Sequence, residues 1–372
     1  MKVAVVGASG FVGSALVESF WNDGNAEVLP LAHSSGNAWQ LARHGRPISF
    51  TNILSDSDLS KALQGCTHVV NCSRGNREVM TTGLKNLLAA ARRVGVRRFV
   101  HLSSVAVYGY RFHGGLIDED CANRAPTNSY GGLKELGDRL CKKACRSGLP
   151  CVIICPPNIT GPNSPFLLSV VDSISNGKCA LVQGDARPCE FVDVKNLVHA
   201  IRLALHCEHA TAQRIFVTDG SGLTWKRALQ EMAQFIGRDD LLRQIDAATA
   251  QRSVEEAKPP SPNLRDALKR LVSSDVRKAL AADPMWKSML EGAAKTIKKV
   301  APSVEARLKD ATSKTGLRIK QSTATPISLP LIDQQLRNAR YSIDRAKLVL
   351  GYEPIVDYQT SRDAFQSWLD AE

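Results

Sequence analysis

The chain has 372 residues, 44% hydrophobic and 23% charged, the balance of an ordinary soluble globular protein that is longer than a single typical domain. No run approaches the ~20 apolar residues of a membrane span, and Met1-Lys2 leads straight into a strand pattern, so neither a transmembrane helix nor a signal peptide is expected. The net charge of +12 is uneven, because residues 241–330 hold 17 Lys and Arg against nine Asp and Glu.

Short β-rich runs at Lys2–Val6, Glu27–Ala32, Ile48–Thr51, His68–Cys72, Arg97–Leu102 and Pro150–Cys155 alternate with helical patterns near 11–23, 56–64, 76–94 and 128–148. Such alternation predicts an α/β domain over 1–155, a doubly wound parallel sheet, because each parallel crossover needs a covering helix. The runs Val3-Ala4-Val5-Val6 and Cys151-Val152-Ile153-Ile154-Cys155 are apolar on consecutive residues, as strands buried on both faces must be.

Pro156-Pro157, Gly161-Pro162 and Pro165 open a loop-rich region. Beyond it come helices near 164–177, 196–207 and 224–237 and strands Glu190–Val194 and Arg214–Val217, a smaller α/β substrate-binding region over 156–240. Residues 241–330 form the expected basic helical insertion. Lys258-Pro259-Pro260-Ser261-Pro262 breaks the chain there, before apolar stripes through Leu264, Leu268 and Leu271 and through Trp286, Met289 and Ile297. These stripes suit a cap packed on the substrate region or, for 264–300, peripheral contact with an anionic membrane. No nucleic-acid recognition motif accompanies the charge, so nucleic acid is not an expected partner. Residues 331–372 return to the substrate region and end on a helical pattern near 359–370.

The ten cysteines show no C-x-x-C spacing. Cys141 and Cys145 would share a helix face, but no His or carboxylate completes a metal shell, so reduced, mostly buried thiols and no metal are expected.

Gly7-Ala8-Ser9-Gly10-Phe11-Val12-Gly13 sits between the first strand and the first helix. The glycines serve the tight turn, the close approach of a pyrophosphate and the packing of helix on strand, which is the dinucleotide loop of a Rossmann-type sheet. The helix N-terminus then offers unpaired N–H groups to phosphate. After the second strand the chain reads Leu31-Ala32-His33-Ser34-Ser35, without the acid that binds a ribose 2′-hydroxyl. His33, Ser34 or Arg43 would suit a 2′-phosphate, which favours NADP(H) over NAD(H).

Tyr130 and Lys134 stand at i and i+4 of a predicted helix, so phenol and ammonium share a face. A cation beside a phenol favours the phenolate and fits tyrosine for proton transfer. His101-Leu102-Ser103-Ser104-Val105-Ala106-Val107-Tyr108-Gly109 ends the fifth strand, where open α/β sheets place their ligand crevice.

Together these motifs resemble the extended short-chain dehydrogenase/reductases, also called the NAD-dependent epimerase/dehydratase family. Pro156-Pro157-Asn158-Ile159-Thr160-Gly161, Phe191-Val192-Asp193-Val194, Thr218-Asp219-Gly220 and Tyr341-Ser342-Ile343-Asp344 are similar to its downstream signatures. The resemblance implies Ser104, Tyr130 and Lys134 as catalytic residues, with Ser103 the alternative hydroxyl. It implies a cofactor cleft formed by Gly7, Ser9, Gly10, Phe11, Val12, Gly13, His33, Ser34, Asn52, Ile53, Cys72, Ser73, Tyr130, Lys134 and Pro156. Substrate would meet Ser103, Ser104, Asn158 and Arg187.

The family's diphosphate-binding arginine is replaced by Cys189, the arginine before the sixth-strand loop by Cys155, and the usual tyrosine of that loop by Thr160. No Asp-Glu pair follows Ser104, which argues against a sugar 4,6-dehydratase. The expected activity is 4-ketoreduction or C4 epimerisation of a sugar nucleotide or glycosyl carrier in the cytoplasm, with a homodimer and a membrane-associated form as further expectations. A 3β-hydroxysteroid-type dehydrogenase and a non-catalytic dinucleotide-binding module are the alternatives.

Overall fold

In a computed structural model describing residues 1–35, 38–109, 112, 114–183, 187–207, 212–257 and 327–371, the first part of the chain runs β1 (Lys2–Val6), α1 (Phe11–Asp23), β2 (Glu27–Ala32), α2 (Trp39–Ala42), β3 (Ser49–Phe50), α3 (Asp56–Ala62), β4 (His68–Asn71), α4 (Leu84–Arg93), β5 (Arg98–Leu102), β6 (Leu116–Ile117), α5 (Tyr130–Arg146) and β7 (Cys151–Cys155). Then follow β8 (Asn158–Thr160), α6 (Pro165–Ser175), β9 (Ala180–Val182), β10 (Phe191–Asp193), α7 (Val194–His206), β11 (Arg214–Phe216), α8 (Trp225–Phe235), β12 (Arg243–Ile245) and α9 (Ala247–Glu256). After the undescribed stretch come α10 (Leu329–Gln335), β13 (Arg340–Tyr341), α11 (Asp344–Leu350) and α12 (Tyr358–Leu369).

Seven strands make one wholly parallel sheet in the order β11-β7-β5-β4-β1-β2-β3. Successive strand residues point to opposite faces, which is why the apolar runs are continuous. Val3, Val5, Val100 and Ile154 join a core with Leu16 and Phe20 of α1 and Ile201 of α7. Ala4, Val69, Phe99 and Ile153 join another with Leu84 and Leu87 of α4 and Cys141 of α5. A third core packs Leu167 of α6, Trp225 and Leu229 of α8 and Phe365 of α12 around Phe191. Strand order reverses between β1 and β4, and such a switch point leaves a crevice at the carboxyl ends of the strands. The sheet is therefore of the Rossmann type.

The loop expected after Pro156 contains β8, which pairs in parallel with β10, Asn158 opposite Phe191. A three-residue strand between Pro157 and Gly161 is too short to show a period. β12 pairs with β9, and the Gln335 side chain bonds both Val182 N and Ala180 O, so this region continues past residue 240. The helix expected over 76–94 begins as a π-helical turn, Val79–Gly83.

The chain divides into one unit of Met1–Gln251 with Ile327–Glu372 and a second of Arg252–Pro326, inside the 241–330 bounds expected for the insertion. Its two amphipathic patterns, at 264–280 and 286–300, lie outside the described residues. Among the described residues no helix is long and apolar enough to cross a membrane.

Candidate active site

Gly7 follows β1 with a left-handed φ of 80°, and a Cβ there would come within 2.8 Å of Ser73 N. A Cβ on Gly13 would collide with the Gly7 carbonyl oxygen, so α1 lies this close to β1 only with glycine at that position. Both Gly7 N and Ala8 N donate to Leu31 O, at 3.0 and 3.1 Å, fixing the loop on β2. Gly10 caps α1 with no side-chain acceptor, which leaves the first-turn amides and the positive dipole end for an anion. The loop fits the pyrophosphate of a dinucleotide: the α1 N-terminus has no side-chain cap, and no Asp or Glu is among the described residues of the clefts beside it.

Two clefts open from this loop. One, of about 500 Å³, is lined by Gly7, Ser9, His33, Ser34, Asn52 and Ile53. The other, of about 620 Å³, is lined by Phe11, Val12, Gly13, Tyr130, Lys134 and Pro156, together with Ser103, Ser104 and Asn158. Gly10, Cys72 and Ser73 line both. Every expected cofactor residue thus borders one cleft or the other.

Arg187 does not border either cleft; its carbonyl accepts from Trp225 N at 3.0 Å, beside the Pro188–Thr224 bridge. Arg43 also lies elsewhere. It is paired with Glu18 at 2.9 Å and borders a larger cleft of about 750 Å³ outside α1 and α7, which holds none of the expected catalytic residues.

Tyr130 is the first residue of α5, placed there by the cap in which Ser129 Oγ accepts from Gly132 N at 3.1 Å. A Cβ on Gly131 would strike Ala106 O, so the helix start presses directly on the 3₁₀ turn Val105–Tyr108 that follows Ser104. That contact brings two distant sequence motifs to one cleft. Tyr130 remains 38% exposed, whereas Lys134, one helical turn on, is 5% exposed and donates from Nζ to Leu102 O at 2.7 Å. The ammonium lies 5.9 Å from the Tyr130 ring centroid and the Arg74 guanidinium 5.4 Å from it. Ser104 Oγ accepts from Ala106 N at 3.2 Å and donates to Pro156 O at 3.5 Å, a long bond that a substrate oxygen could replace.

Behind the cleft, burial and then the Lys134 charge push His101 down to about 3, so its imidazole stays neutral. Burial pushes the Cys72 thiol up to about 12 and the Cys189 and Cys155 thiols well above their usual range, so none is a thiolate near neutral pH. Cys189 and Cys155 are buried neutral groups and give the cleft no charge.

Among the cleft residues outside the sequence expectations are Arg74 just after β4, Gln334 near the end of α10 and Arg337 just beyond it. Gln334 Oε1 accepts from Asn158 Nδ2 at 2.8 Å, tying α10 to the segment after β7. Among the described residues lining the two clefts there is no Asp or Glu, while Arg74, Lys134 and Arg337 are present.

The model of the NAD dependent epimerase/dehydratase family matches residues 3–217. The chain belongs to that family. It is accordingly an enzyme of the extended short-chain dehydrogenase/reductase type. UDP-glucose 4-epimerase of Vibrio cholerae is 28% identical over 259 residues, 62% of this chain and 75% of that protein. The 3beta-hydroxysteroid-dehydrogenase/decarboxylase isoform 1 of Arabidopsis thaliana is 29% identical over 172 residues, 43% of this chain and 39% of that protein. The solved UDP-glucuronic acid 4-epimerase of Bacillus cereus, in complex with NAD, shares the fold with a TM-score of 0.66 at 16% identity, covering 100% of this chain and 99% of that one. Across the family match the dinucleotide loop, Ser104, Tyr130 and Lys134 all fall within residues 3–217, whereas α10 lies beyond it.

Proposed function

We propose that the protein is an NAD(P)-dependent 4-ketoreductase or C4-epimerase of a sugar nucleotide or related glycosyl carrier. The observation that carries this reading is the meeting of Ser104, Tyr130 and Lys134 in one cleft with Gly10, Phe11, Val12 and Gly13 of the glycine loop. A bound nicotinamide would supply the hydride donor or acceptor. Tyr130 gives or takes the proton on the reacting oxygen, and the Ser104 hydroxyl donates to that same oxygen in place of Pro156 O. Lys134 is held by Leu102 O through one N–H, which leaves its other two donors for the cleft.

The charge of the site supports an anionic substrate. The lining is cationic without a described carboxylate, with Arg74, Lys134 and Arg337 among its residues. The Vibrio relative, a UDP-glucose 4-epimerase, points to a sugar nucleotide. The absence of an acid after β2, where His33 and Ser34 border the cleft, supports NADP(H) as the preferred cofactor.

A second reading has its own support. The Cys189 and Cys155 replacements and the Pro156, Pro157, Ile159 and Phe166 wall suit a hydrophobic alcohol, and the Arabidopsis relative is a 3beta-hydroxysteroid-dehydrogenase/decarboxylase. Incubation of the pure protein with NADP⁺ or NADPH and a panel of sugar nucleotides and sterol alcohols separates the two by absorbance of the reduced cofactor. Tyr130→Phe should lower turnover by about 10²-fold or more with cofactor affinity kept. Unchanged turnover in that variant would sink the mechanism, and silence on the whole panel would favour a non-catalytic dinucleotide module.

A further inference from the structure

The two clefts meet at only four lining residues: Gly10, Cys72, Ser73 and Arg74. Any elongated ligand that fills both must lay its middle across this junction. For a dinucleotide the middle is the pyrophosphate, the most negatively charged part common to NAD(H) and NADP(H). Gly10 meets it from the end of β1 with backbone alone. Arg74 is the one charged group of the four, and it comes from the end of β4, the strand paired with β1 at the switch point.

Local structure sets the arginine there. Asn71 Oδ1 accepts from both Ser73 N at 3.1 Å and Ser73 Oγ at 2.6 Å, which folds the chain sharply after β4 and brings Arg74 out over the crevice. Its guanidinium lies 5.4 Å from the centroid of the Tyr130 ring. No Asp or Glu is among the described residues bordering either cleft, so no described carboxylate there competes for it. A guanidinium is planar: its face stacks on an aromatic ring while its N–H edge bonds phosphate oxygens in the same plane. An ammonium offers the charge without the stacking face.

We infer that Arg74 binds the cofactor pyrophosphate across the junction and, by stacking on Tyr130, couples dinucleotide binding to the position of the catalytic phenol. The inference rests on the dinucleotide-dependent reading above. Toward the pyrophosphate Arg74 is a binding residue; toward the reaction it is a positioning residue acting through Tyr130. With the cofactor absent the guanidinium restrains the ring from one side only, and with the pyrophosphate bound the same group is held at both ends.

Fluorescence titration of NADPH and NADH into the full chain tests this directly, with wild type, Arg74→Ala and Arg74→Lys side by side and adenosine as a probe lacking phosphate. Arg74→Ala should weaken both dinucleotides by about tenfold or more and leave adenosine binding unchanged, with a shallower dependence on salt than wild type. Arg74→Lys should recover most of the affinity but keep a lowered kcat at saturating cofactor, because the stacking face is gone. Equal dinucleotide affinity in wild type and Arg74→Ala overturns the inference, as does an equal loss for adenosine, which would mean a collapsed cleft. Full recovery of kcat by lysine overturns the coupling to Tyr130. A wild-type protein that binds neither dinucleotide would instead overturn the cofactor reading itself.

Discussion

The Lys134 ammonium, on the second turn of α5, donates to the main-chain carbonyl of Leu102, the last residue of β5, at 2.7 Å. One bond therefore fixes the catalytic helix to the strand end from which Ser103 and Ser104 emerge. The lysine thus has a structural task beside the chemical one proposed for it, and the two are separable by experiment.

Replacing Lys134 with methionine leaves the Leu102 oxygen buried without its donor, which costs about 1–3 kcal/mol. Turnover should fall by about 10²-fold or more as the cation beside Tyr130 disappears. Tyr130→Phe should match the loss of turnover while changing stability by only about 0.5 kcal/mol, because that ring is partly exposed. Urea unfolding of the two variants alongside their kinetics checks the contrast; equal destabilisation would refute the structural role of the lysine.

The same helix is anchored from its other side by Arg214 of β11, which donates from Nε to Asp138 Oδ2 at 2.6 Å and from Nη2 to Glu135. Arg214 and Asp138 are both buried. Arg214→Met should cost about 3–5 kcal/mol, since it strands a carboxylate in the interior. Adding Asp138→Leu should restore a large part of that loss, because it removes the stranded group. A double variant no more stable than Arg214→Met alone would show that the pair is not the source of the effect.

The Rossmann half was legible because its strands are buried on both faces, so that Val3–Val6 and Cys151–Cys155 stand out as unbroken apolar runs. Gly7, Gly13, Ser104, Tyr130 and Lys134 could be picked out because their spacing has a mechanical cause. β8 could not, since Pro157 and Gly161 bracket it and three residues show no period. Arg74 and Arg337 belong to no motif, and only the tertiary fold brings the segments after β4 and α10 to one crevice. Arg187, expected to meet substrate, borders neither cleft, and its carbonyl accepts from Trp225 N instead.

Stability should fall as pH rises through neutrality. Asp219 is 9% exposed; burial, outweighing its bonds from Asn196 Nδ2 at 2.7 Å and Asp193 N at 2.9 Å, pushes its carboxyl up from 3.8 to about 7. The folded protein thus holds this proton more tightly than the unfolded chain. The resulting stabilisation is complete below the unfolded value and is lost as pH climbs through about 7, amounting to ~4 kcal/mol in full. Urea midpoints should drop between about pH 5 and pH 8, and Asp219→Asn should flatten that slope, leaving the part due to Glu190, likewise raised to about 7 by burial. An unaltered slope in Asp219→Asn would exclude Asp219 as the titrating group.

Cofactor choice should turn on a single position. His33 and Ser34 follow β2 at the rim of the 500 Å³ cleft, where Thr51 and Asn52 also stand and no described lining residue is acidic. Ser34→Asp places a carboxylate where it accepts hydrogen bonds from free ribose hydroxyls and repels a 2′-phosphate. Two unit charges about 4 Å apart at a protein surface interact by roughly 4 kcal/mol, so a shift of about tenfold, or 1.4 kcal/mol, in the NADPH-to-NADH affinity ratio is a conservative expectation. The change should come from weaker NADPH binding, with NADH held or improved, and it should narrow at high salt as the charges are screened. Parallel titrations of both reduced cofactors into wild type and Ser34→Asp give the answer. If the ratio is the same in both proteins, the 2′ group of the cofactor does not sit beside Ser34, and the proposed preference for NADP(H) loses its physical basis.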